Sequence, residues 1–497
     1  MTVTTGRKAL NERLRDPSLL RDAALIDGEW ITATAGDGFD VIDPATGEVI
    51  ATLPDMGAES TRSAIASAEA ALPAWRAKSA VERSQILRRW ADLIRDNADD
   101  VASILTAEQG KPWDEARGEV VYAAGYLDWF AEEGRRAYGD VIPSNTPDAR
   151  IIVLKQPVGV TAGITPWNLP AAMITRKVGP SLAAGNVFLV KPAAQTPLTC
   201  TTLAELGLRA GVPAGVFNVV TSDRAPEVGD ELTSNRSVRK LSFTGSTGVG
   251  KLLLRQAATN VQKVSMELGG NSPFILFDDA DIDQAVEGVV SAKFRNAGQI
   301  CTAANRIFVQ RGIADRFSDA MTARAKSVKV GNGFASGTEM GPLIDRKGFE
   351  KVERHIQDML DHGATLRTGG RPSELGLTFF EPTVITGLES DMLPWSDETF
   401  GPVASIAVFD DEDEVIQKAN DTEYGLVAYV YTHDVGRVWR VSEALETGMV
   451  GVNTGRVSNE MAPFGGVKQS GLGREGSKYG IDDWMELKYI NLAGLSR

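Results

Sequence analysis

The sequence predicts an α/β fold with more than one domain, and three observations carry that expectation. The chain has 497 residues, more than one hydrophobic core organises, so two or three domains are expected. From residue 158 onward, short apolar runs alternate with amphipathic ones, the pattern of a parallel sheet wrapped by helices on both faces. A second alternation begins at SPFILF (272–277) and implies a second α/β domain.

Taken in order, residues 26–55 hold short β-like runs separated by the turns DGEW and DPATGE. Apolar residues at helical spacing run through VERSQILRRWADLIRDNADDVASIL (81–105) and predict a long amphipathic helix. Residues 138–157 read as extended, with IIVLKQPVGV closing them. VGVTAGIT (158–165) predicts a buried strand, LPAAMITRKVGPSLAAG (169–185) a helix and NVFLVK (186–191) the next strand. PLTCTTLAELGLRAG (197–211) predicts a helix and GVFNVV (215–220) a strand, and another helix precedes the strand VRKLSF (238–243). TGVGKLLLRQAAT (247–259) is helical. In the second alternation SPFILF is a strand, DIDQAVEGVVSAKFRNAG (281–298) a helix and NRIFVQ (305–310) a strand. The last segment, WMELKYINL (484–492), reads as a strand that stands apart from both domains and is free to pair elsewhere.

Composition excludes several classes. Apolar residues are 43% and charged residues 24%, normal shares for a soluble chain. The formal net charge of −14 argues against nucleic acid or an anionic membrane as the main partner, since both select basic faces. Two cysteines, Cys200 and Cys301, cannot build a disulfide framework and suit a reducing cytosol. The histidines His355, His362 and His433 leave little for a zinc site or a Ser-His-Asp triad, and no metal is expected. The N-terminal stretch has no apolar core followed by a cleavage site, and no apolar run approaches a membrane span, so a cytoplasmic protein is expected.

Two glycine motifs mislead by letter. GSTGVGKL (245–252) nearly spells a P-loop, but Leu252 stands where a hydroxyl should hold magnesium. A strand feeding a glycine-rich turn and then a helix is still an anion site, suited to a dinucleotide pyrophosphate; the alternative is a tight turn with no ligand. GLGREG (471–476) matches G-x-G-x-x-G but follows PFGGVKQS, which is not a strand, so it reads as a surface or packing loop.

Three stretches carry candidate chemistry. NAGQICTAANR (296–306) sets Cys301 among small polar residues rather than core aliphatics. The thiolate is the strong nucleophile, favoured by a helix N-terminus or a positive charge, and Arg295 lies just upstream. The alternative is a small buried residue, which is the reading for Cys200. MELGGNSP (266–273) places Glu267 before Gly269 and Gly270, which let a ligand or another backbone come close. Glu267 is either a general base for water or an ion-paired or solvated residue. TPWNLP (165–170) sets Asn168 between a strand end and a helix start, where its amide can donate to a developing oxyanion or cap the helix.

These stretches belong to a longer ordered series: TPWNLP, KPAAQTP (191–197), FTGST (243–247), MELGGNSP, GQICTAANR, ETFGPV (398–403) and PFGGVKQSGLGREG (463–476). Over nearly its whole length the chain resembles the aldehyde dehydrogenase superfamily. MITRK (173–177), KFRNAGQ (293–299) and VSNEMAPFGG (457–466) look most like the succinate-semialdehyde dehydrogenases within it. The resemblance implies a Rossmann-type cofactor domain (1–131 and 153–266), an α/β catalytic domain (267–470) and a small β oligomerisation hairpin (132–152) with a C-terminal segment (481–497). WMELKYINL would then extend the sheet of a neighbour in a homo-oligomer, dimer or tetramer.

The resemblance also implies roles. Cys301 attacks the aldehyde carbon, Asn168 and the Cys301 backbone N–H hold the oxyanion, and hydride passes to the nicotinamide, leaving a thioester. Glu267 then activates water and the acid departs. Lys191 would bind the adenosine ribose and nearby phosphate, Ser246 the pyrophosphate, and Glu398 and Phe400 the nicotinamide ribose and ring. Trp167 would line the cleft, and Thr165, Gly245, Gly250 and Leu268 complete the cofactor set. Arg176, Arg295 and Ser458 would grip the distal carboxylate of succinate semialdehyde; the alternative is that both arginines form structural ion pairs. Glutarate semialdehyde, one methylene longer, or a broad range of aldehydes are alternative substrates, since a methylene separates substrates by only about 1–3 kcal/mol. Ala194 stands where members that prefer NAD often carry Glu. NADP is therefore expected to be accepted and preferred, with NAD as the other acceptor. Thr302 and Ala303 follow Cys301, so the Cys-x-Cys redox switch of some relatives is expected to be absent.

Overall fold

The structure, a computed structural model, describes residues 4–34 and 36–495. Residues 1–3, 35, 496 and 497, which fall in the expected cofactor and oligomerisation segments, lie outside the described residues. Two apolar cores form. One gathers side chains from Leu10 to Leu268 together with Ile481, Trp484 and Met485, and the other gathers those from Phe274 to Leu445.

The first core packs on an eight-stranded sheet. Its five central strands lie in the order Phe217–Val219, Val187–Lys191, Val160–Ile164, Val238–Thr244 and Lys263–Glu267, and all neighbours among them are parallel. The chain leaves Val160–Ile164 toward one side and returns to its other side with Val238–Thr244. The order thus reverses beside Val160–Ile164, and ligands bind at the carboxyl ends of strands at such a switch point. The carboxyl ends here are Ile164, Lys191, Thr244 and Glu267. The second core packs on a seven-stranded sheet that runs Thr365–Thr368, Thr383–Thr386, Val403–Phe409, Ala304–Gln310, Ser272–Leu276, Val427–Tyr431, Met449–Val452. Only its first pair is antiparallel.

Most elements fall where the apolar pattern puts them, with two differences. The run 81–105 is two helices, Ala80–Asp96 and Ala98–Gln109. Asn97 leaves helical geometry between them (φ −108°, ψ 19°), and its side-chain amide donates to the Leu93 carbonyl. Asp100, in the second helix, accepts from the backbone N–H groups of Arg15 and Asp16, which fixes the new direction. The helix predicted over 281–298 ends at Lys293, for reasons that belong to the site. GLGREG does pack rather than bind: Gly471–Leu472 joins the first sheet antiparallel to Met266–Glu267.

The last strand forms as expected. Met485–Leu492 pairs within this chain, antiparallel to Arg150–Pro157, which in turn pairs with Asp140–Ile142. This eight-pair register uses one edge of the strand within the chain and leaves its other edge free. Val141, Leu487 and Tyr489 are exposed on this small sheet.

Trp90 shows how the first core is held. It is fully buried, its indole donates to the Leu203 carbonyl, and Gly207 packs against its ring. Trp90→Ala is expected to destabilise the first core by about 3–5 kcal/mol, read as a lower urea midpoint of the tryptophan-independent far-UV signal. An unchanged midpoint would mean that this tryptophan does not carry the core.

Candidate active site

The site grows from a strained loop. Past Lys293 the chain makes a tight turn in which Asn296 (φ 50°) and Ala297 (φ 53°) are left-handed, a conformation that costs free energy for residues with a Cβ. Side-chain bonds hold it. Asn296 Oδ1 accepts from Gln109 Nε2 (2.8 Å), its Nδ2 donates to the Asn168 carbonyl (2.9 Å), and its backbone N–H donates to Glu115 (3.1 Å). Gln299 Nε2 donates to the Asn296 carbonyl and its Oε1 accepts from Ile344 N–H. Any side chain at Gly298 would overlap the Gly401 carbonyl, and a Cβ on Gly270 would sit 2.6 Å from the Cys301 carbonyl. Of the two glycines of MELGGNSP, Gly270 therefore admits a backbone, that of Cys301, and Gly269 faces the Glu398 and Tyr424 side chains. Cys301 itself is half-buried.

Asn168 lies beside this loop, buried, past the carboxyl end of Val160–Ile164. Its Nδ2 donates to the Gln299 carbonyl (3.0 Å), which leaves one N–H of the amide for another acceptor. It does not cap the following helix. Glu119 does that, with Oε1 accepting from Ala171 and Ala172 N–H while its Oε2 pairs with the buried Lys111 at 2.6 Å. Lys111 also donates to the Asn168 carbonyl (2.8 Å). Nothing in the sequence reading singled out Gln109, Lys111 or Glu119; the only signal was polar residues inside EQGKPWDEARGE where the helical pattern called for apolar ones.

Glu267, at the carboxyl end of Lys263–Glu267, is buried with neither oxygen hydrogen-bonded. It is thus neither solvated nor ion-paired. Burial, and next the charge of Glu475, push its carboxyl well above the usual range, against the pull of Lys177, Arg176 and Arg474. Glu475, missed in the sequence inside GLGREG, binds Lys177 at 2.5 Å and Arg176 at 3.4 Å. Arg176 is fully buried, donates to Tyr122 OH (3.1 Å) and lies over the rings of Tyr126 and Phe464. It stands behind Tyr122 rather than in the cavity wall.

Burial pushes the Cys301 thiol up to about 12, Glu398 adds to this, and Arg176 opposes it. The sequence suggested Arg295 as the nearby positive charge; Arg176 takes that part because the turn at 296–298 carries the arginine side chain of position 295 toward Glu115.

The expected cofactor residues lie along the carboxyl ends of the first sheet. Thr165 N–H bonds the Lys191 carbonyl, and Lys191 is buried with only the Pro192 carbonyl as partner to its amine. Burial lowers that amine to about 8. Ala194 is half-buried. The helix Thr247–Ala257 starts on exposed Ser246, whose hydroxyl accepts from Val249 N–H, and a side chain at Gly248 would meet open space. Gly245 and Gly250 are forced by the Phe243 ring and Leu268, each 2.5 Å from a Cβ there. Glu398 accepts from Gly270 N–H (3.3 Å), and Trp167 and Phe400 meet edge to face with centroids 5.5 Å apart. An open helix N-terminus and a buried amine at the same carboxyl edge of the sheet fit an anionic dinucleotide. His355, fully buried, bonds Thr399 and Asp397 on either side of Glu398 and fixes that segment.

A cavity of about 660 Å³ is lined by Thr302, the residue after Cys301, and by Tyr122, Leu169, Arg295, Arg456 and Ser458 among others. Arg295 lies 3.9 Å from Glu115, and its Nε has no hydrogen-bond partner. Among the described residues, no cluster of three or more His, Cys, Asp or Glu side chains is arranged to hold a metal, and no helix is long and apolar enough to cross a membrane.

Comparison with known proteins supports one family. The aldehyde dehydrogenase family model matches residues 30–490. The chain is 56% identical to a succinate-semialdehyde dehydrogenase (NADP(+)) of Escherichia coli K12, over 96% of this chain and 99% of that protein. It is equally 56% identical to a glutarate-semialdehyde dehydrogenase of Pseudomonas aeruginosa, over 97% of this chain and all of the relative. The crystal structure of an E. coli NADP-dependent enzyme superposes with a TM-score of 0.95 at 56% identity, covering 97% of this chain and 100% of that one.

The electrostatics predict slow, pH-driven reactivity of the free protein. Alkylation of Cys301 by iodoacetamide is expected to rise about tenfold per pH unit between pH 7 and 9, because only the thiolate reacts and its pKa lies above that window. Buried Cys200 stays unlabelled. A plateau near pH 8, followed by mass spectrometry, would show that Cys301 is not held up by its surroundings.

Proposed function

The chain belongs to the aldehyde dehydrogenase family, and from that premise we propose that it oxidises succinate semialdehyde to succinate with NADP as preferred acceptor. The observation that carries this reading is that Asn168 is bonded to the loop of Cys301 and Glu267 acts on the Cys301 thiol, while the chain neighbours Leu169 and Thr302 line a cavity that also holds Arg295 and Ser458. We assign residues 1–131 and 153–266 to cofactor binding, 267–470 to catalysis, and 132–152 with 481–497 to assembly.

Cys301 Sγ attacks the aldehyde carbon, and the carbonyl oxygen becomes an anion. The free N–H of the Asn168 amide and the Cys301 backbone N–H stabilise it, preorganised by the Gln299 and Lys111 contacts. A dinucleotide would be held by Lys191, Ser246, Glu398 and Phe400, with Thr165, Trp167, Gly245, Gly250 and Leu268 shaping the cleft. The chemistry it supplies there is acceptance of hydride from the substrate carbon. Cys301 then carries the acyl group as a thioester. Glu267 takes a proton from the water that attacks it, which requires that Glu267 first lose its own, so hydrolysis gains with rising pH.

Ala194 supports NADP. It brings no carboxylate to repel a 2′-phosphate, and Lys191 is at hand. Ser458 and Arg295 hold the substrate carboxylate in the cavity; Arg176, tied to Glu475 and Tyr122, supports the wall behind Tyr122 and reaches the substrate only on leaving those partners. The exposed apolar side chains of the small sheet and the free edge of Met485–Leu492 support a homo-oligomer. A free nucleophilic thiol suits the reducing cytoplasm.

Steady-state assays test the reading. kcat/KM is expected to be higher for succinate semialdehyde than for propionaldehyde, and Arg295→Ala should raise KM for the former at least tenfold, the scale of a lost charge-assisted contact of about 1.5–3 kcal/mol. Equal losses on both aldehydes would remove Arg295 from carboxylate recognition. Ala194→Glu is expected to lower the NADP/NAD ratio of kcat/KM; an unchanged ratio would sink the cofactor argument.

A further inference from the structure

A second guanidinium, that of Arg456, shares the substrate cavity with Arg295. One backbone contact puts it there. After Met449–Val452 the chain turns through Asn453 (φ 50°), whose amide bonds Thr432 N–H and the Thr432 carbonyl. Gly455 then rests on Gly288 of the helix Ile282–Lys293, so closely that any side chain at 455 would overlap the Gly288 carbonyl. This contact lays Arg456 along the same helix, where Nε donates to Ser291 Oγ at 2.9 Å.

The two guanidiniums are poorly neutralised. Of the carboxylates around the cavity, Glu287 and Glu339 are held by Arg324 at 2.8 and 2.7 Å and Glu119 by Lys111, and exposed Asp114 forms an ion pair with neither guanidinium among the described residues. Glu115 stands 3.9 Å from Arg295, and Arg456 has no ion-pair partner among the described residues. Burial, and next the charge of Arg295, hold the Arg456 guanidinium below its ordinary value. Two positive groups and the Ser458 hydroxyl therefore face one cavity with spare capacity for an anion. Their anchors differ: Ser291, which holds Arg456, lies on the helix Ile282–Lys293, ahead of Arg295 on the segment that leads to Cys301.

We propose that Arg456 is a specificity-determining residue that reads the distal carboxylate of ω-carboxylate semialdehydes longer than four carbons, with glutarate semialdehyde as the first of them. Arg295, nearer Cys301 along the chain, reads the four-carbon substrate, and Arg456 adds a second contact when the carboxylate reaches further out. The inference rests on the semialdehyde reading above and sharpens it: the cavity is built for a short series of anionic aldehydes rather than one.

The test compares kcat/KM for glutarate and succinate semialdehyde, with NADP, in the wild-type enzyme and in Arg456→Gln and Arg456→Lys. The glutarate/succinate ratio is expected to fall about tenfold in Arg456→Gln, through KM for the longer substrate, and to be largely kept in Arg456→Lys, which retains the charge. A ratio unchanged in both variants overturns the proposal. So does an equal fall for both substrates that disappears at 0.5 M salt, which would make Arg456 a steering charge without selectivity. The semialdehyde reading fails separately, if the wild-type enzyme handles propionaldehyde as well as either anionic substrate.

Discussion

The carbonyl of Asn168 is the joint on which the rest of the site depends. It accepts from Lys111 Nζ and from Asn296 Nδ2 at once. Burying the Lys111 ammonium is affordable only because Glu119 sits 2.6 Å away, and such a pair is costly to break from one side. Glu119 also caps the helix Ala172–Ala184 that carries Arg176 and Lys177. Asn296 in turn holds the left-handed turn that leads to Cys301. A single oxygen thus links the switch point of the first sheet, the helix behind the general-base candidate and the nucleophile loop. The strain at Asn296 and Ala297 persists because this network outweighs it.

The same packing sets the electrostatics. Burial raises both Cys301 and Glu267, and the positive side chains nearest to them, Arg176 and Lys177, are committed to Glu475. The resting protein therefore keeps Cys301 as the thiol and biases Glu267 toward its protonated form. Their activation would follow from what binds beside them, since a cationic ring bound near Cys301 would supply the charge that the protein commits to Glu475. A thiol held at rest is also a thiol protected from oxidation.

Much of this was legible in the sequence, for a physical reason. Parallel strands buried on both faces leave continuous apolar runs, so Val160–Ile164, Val187–Lys191, Val238–Thr244 and Ser272–Leu276 declare themselves. The positions of Cys301, Glu267 and Asn168 follow from ordered motifs next to those runs. What stayed hidden depends on long-range polar contacts. Periodicity continues through Asn97 and through Arg295–Gly298, and only side chains far away in the chain break it. Glu475 and Lys111 look like surface charges by type, and their burial follows from partners at positions 177 and 119. The strand Met485–Leu492 was read correctly as a strand, but its register partner is set by tertiary structure.

Close backbone approach recurs wherever the site is shaped. Gly270 admits the Cys301 carbonyl, Gly298 the Gly401 carbonyl and Gly455 the Gly288 carbonyl. Each contact fixes the next functional side chain: Cys301 itself, the turn before it, and Arg456. A backbone-to-backbone contact has no rotamer freedom to lose, so it positions a neighbour more tightly than a side-chain contact of the same area. This also separates two tasks. Substituting Gly455 moves the loop, whereas substituting Arg456 changes the chemistry on an unmoved backbone. Specificity at the outer end of the cavity can therefore vary through position 456 alone, while Gly288 and Gly455 keep the scaffold in place.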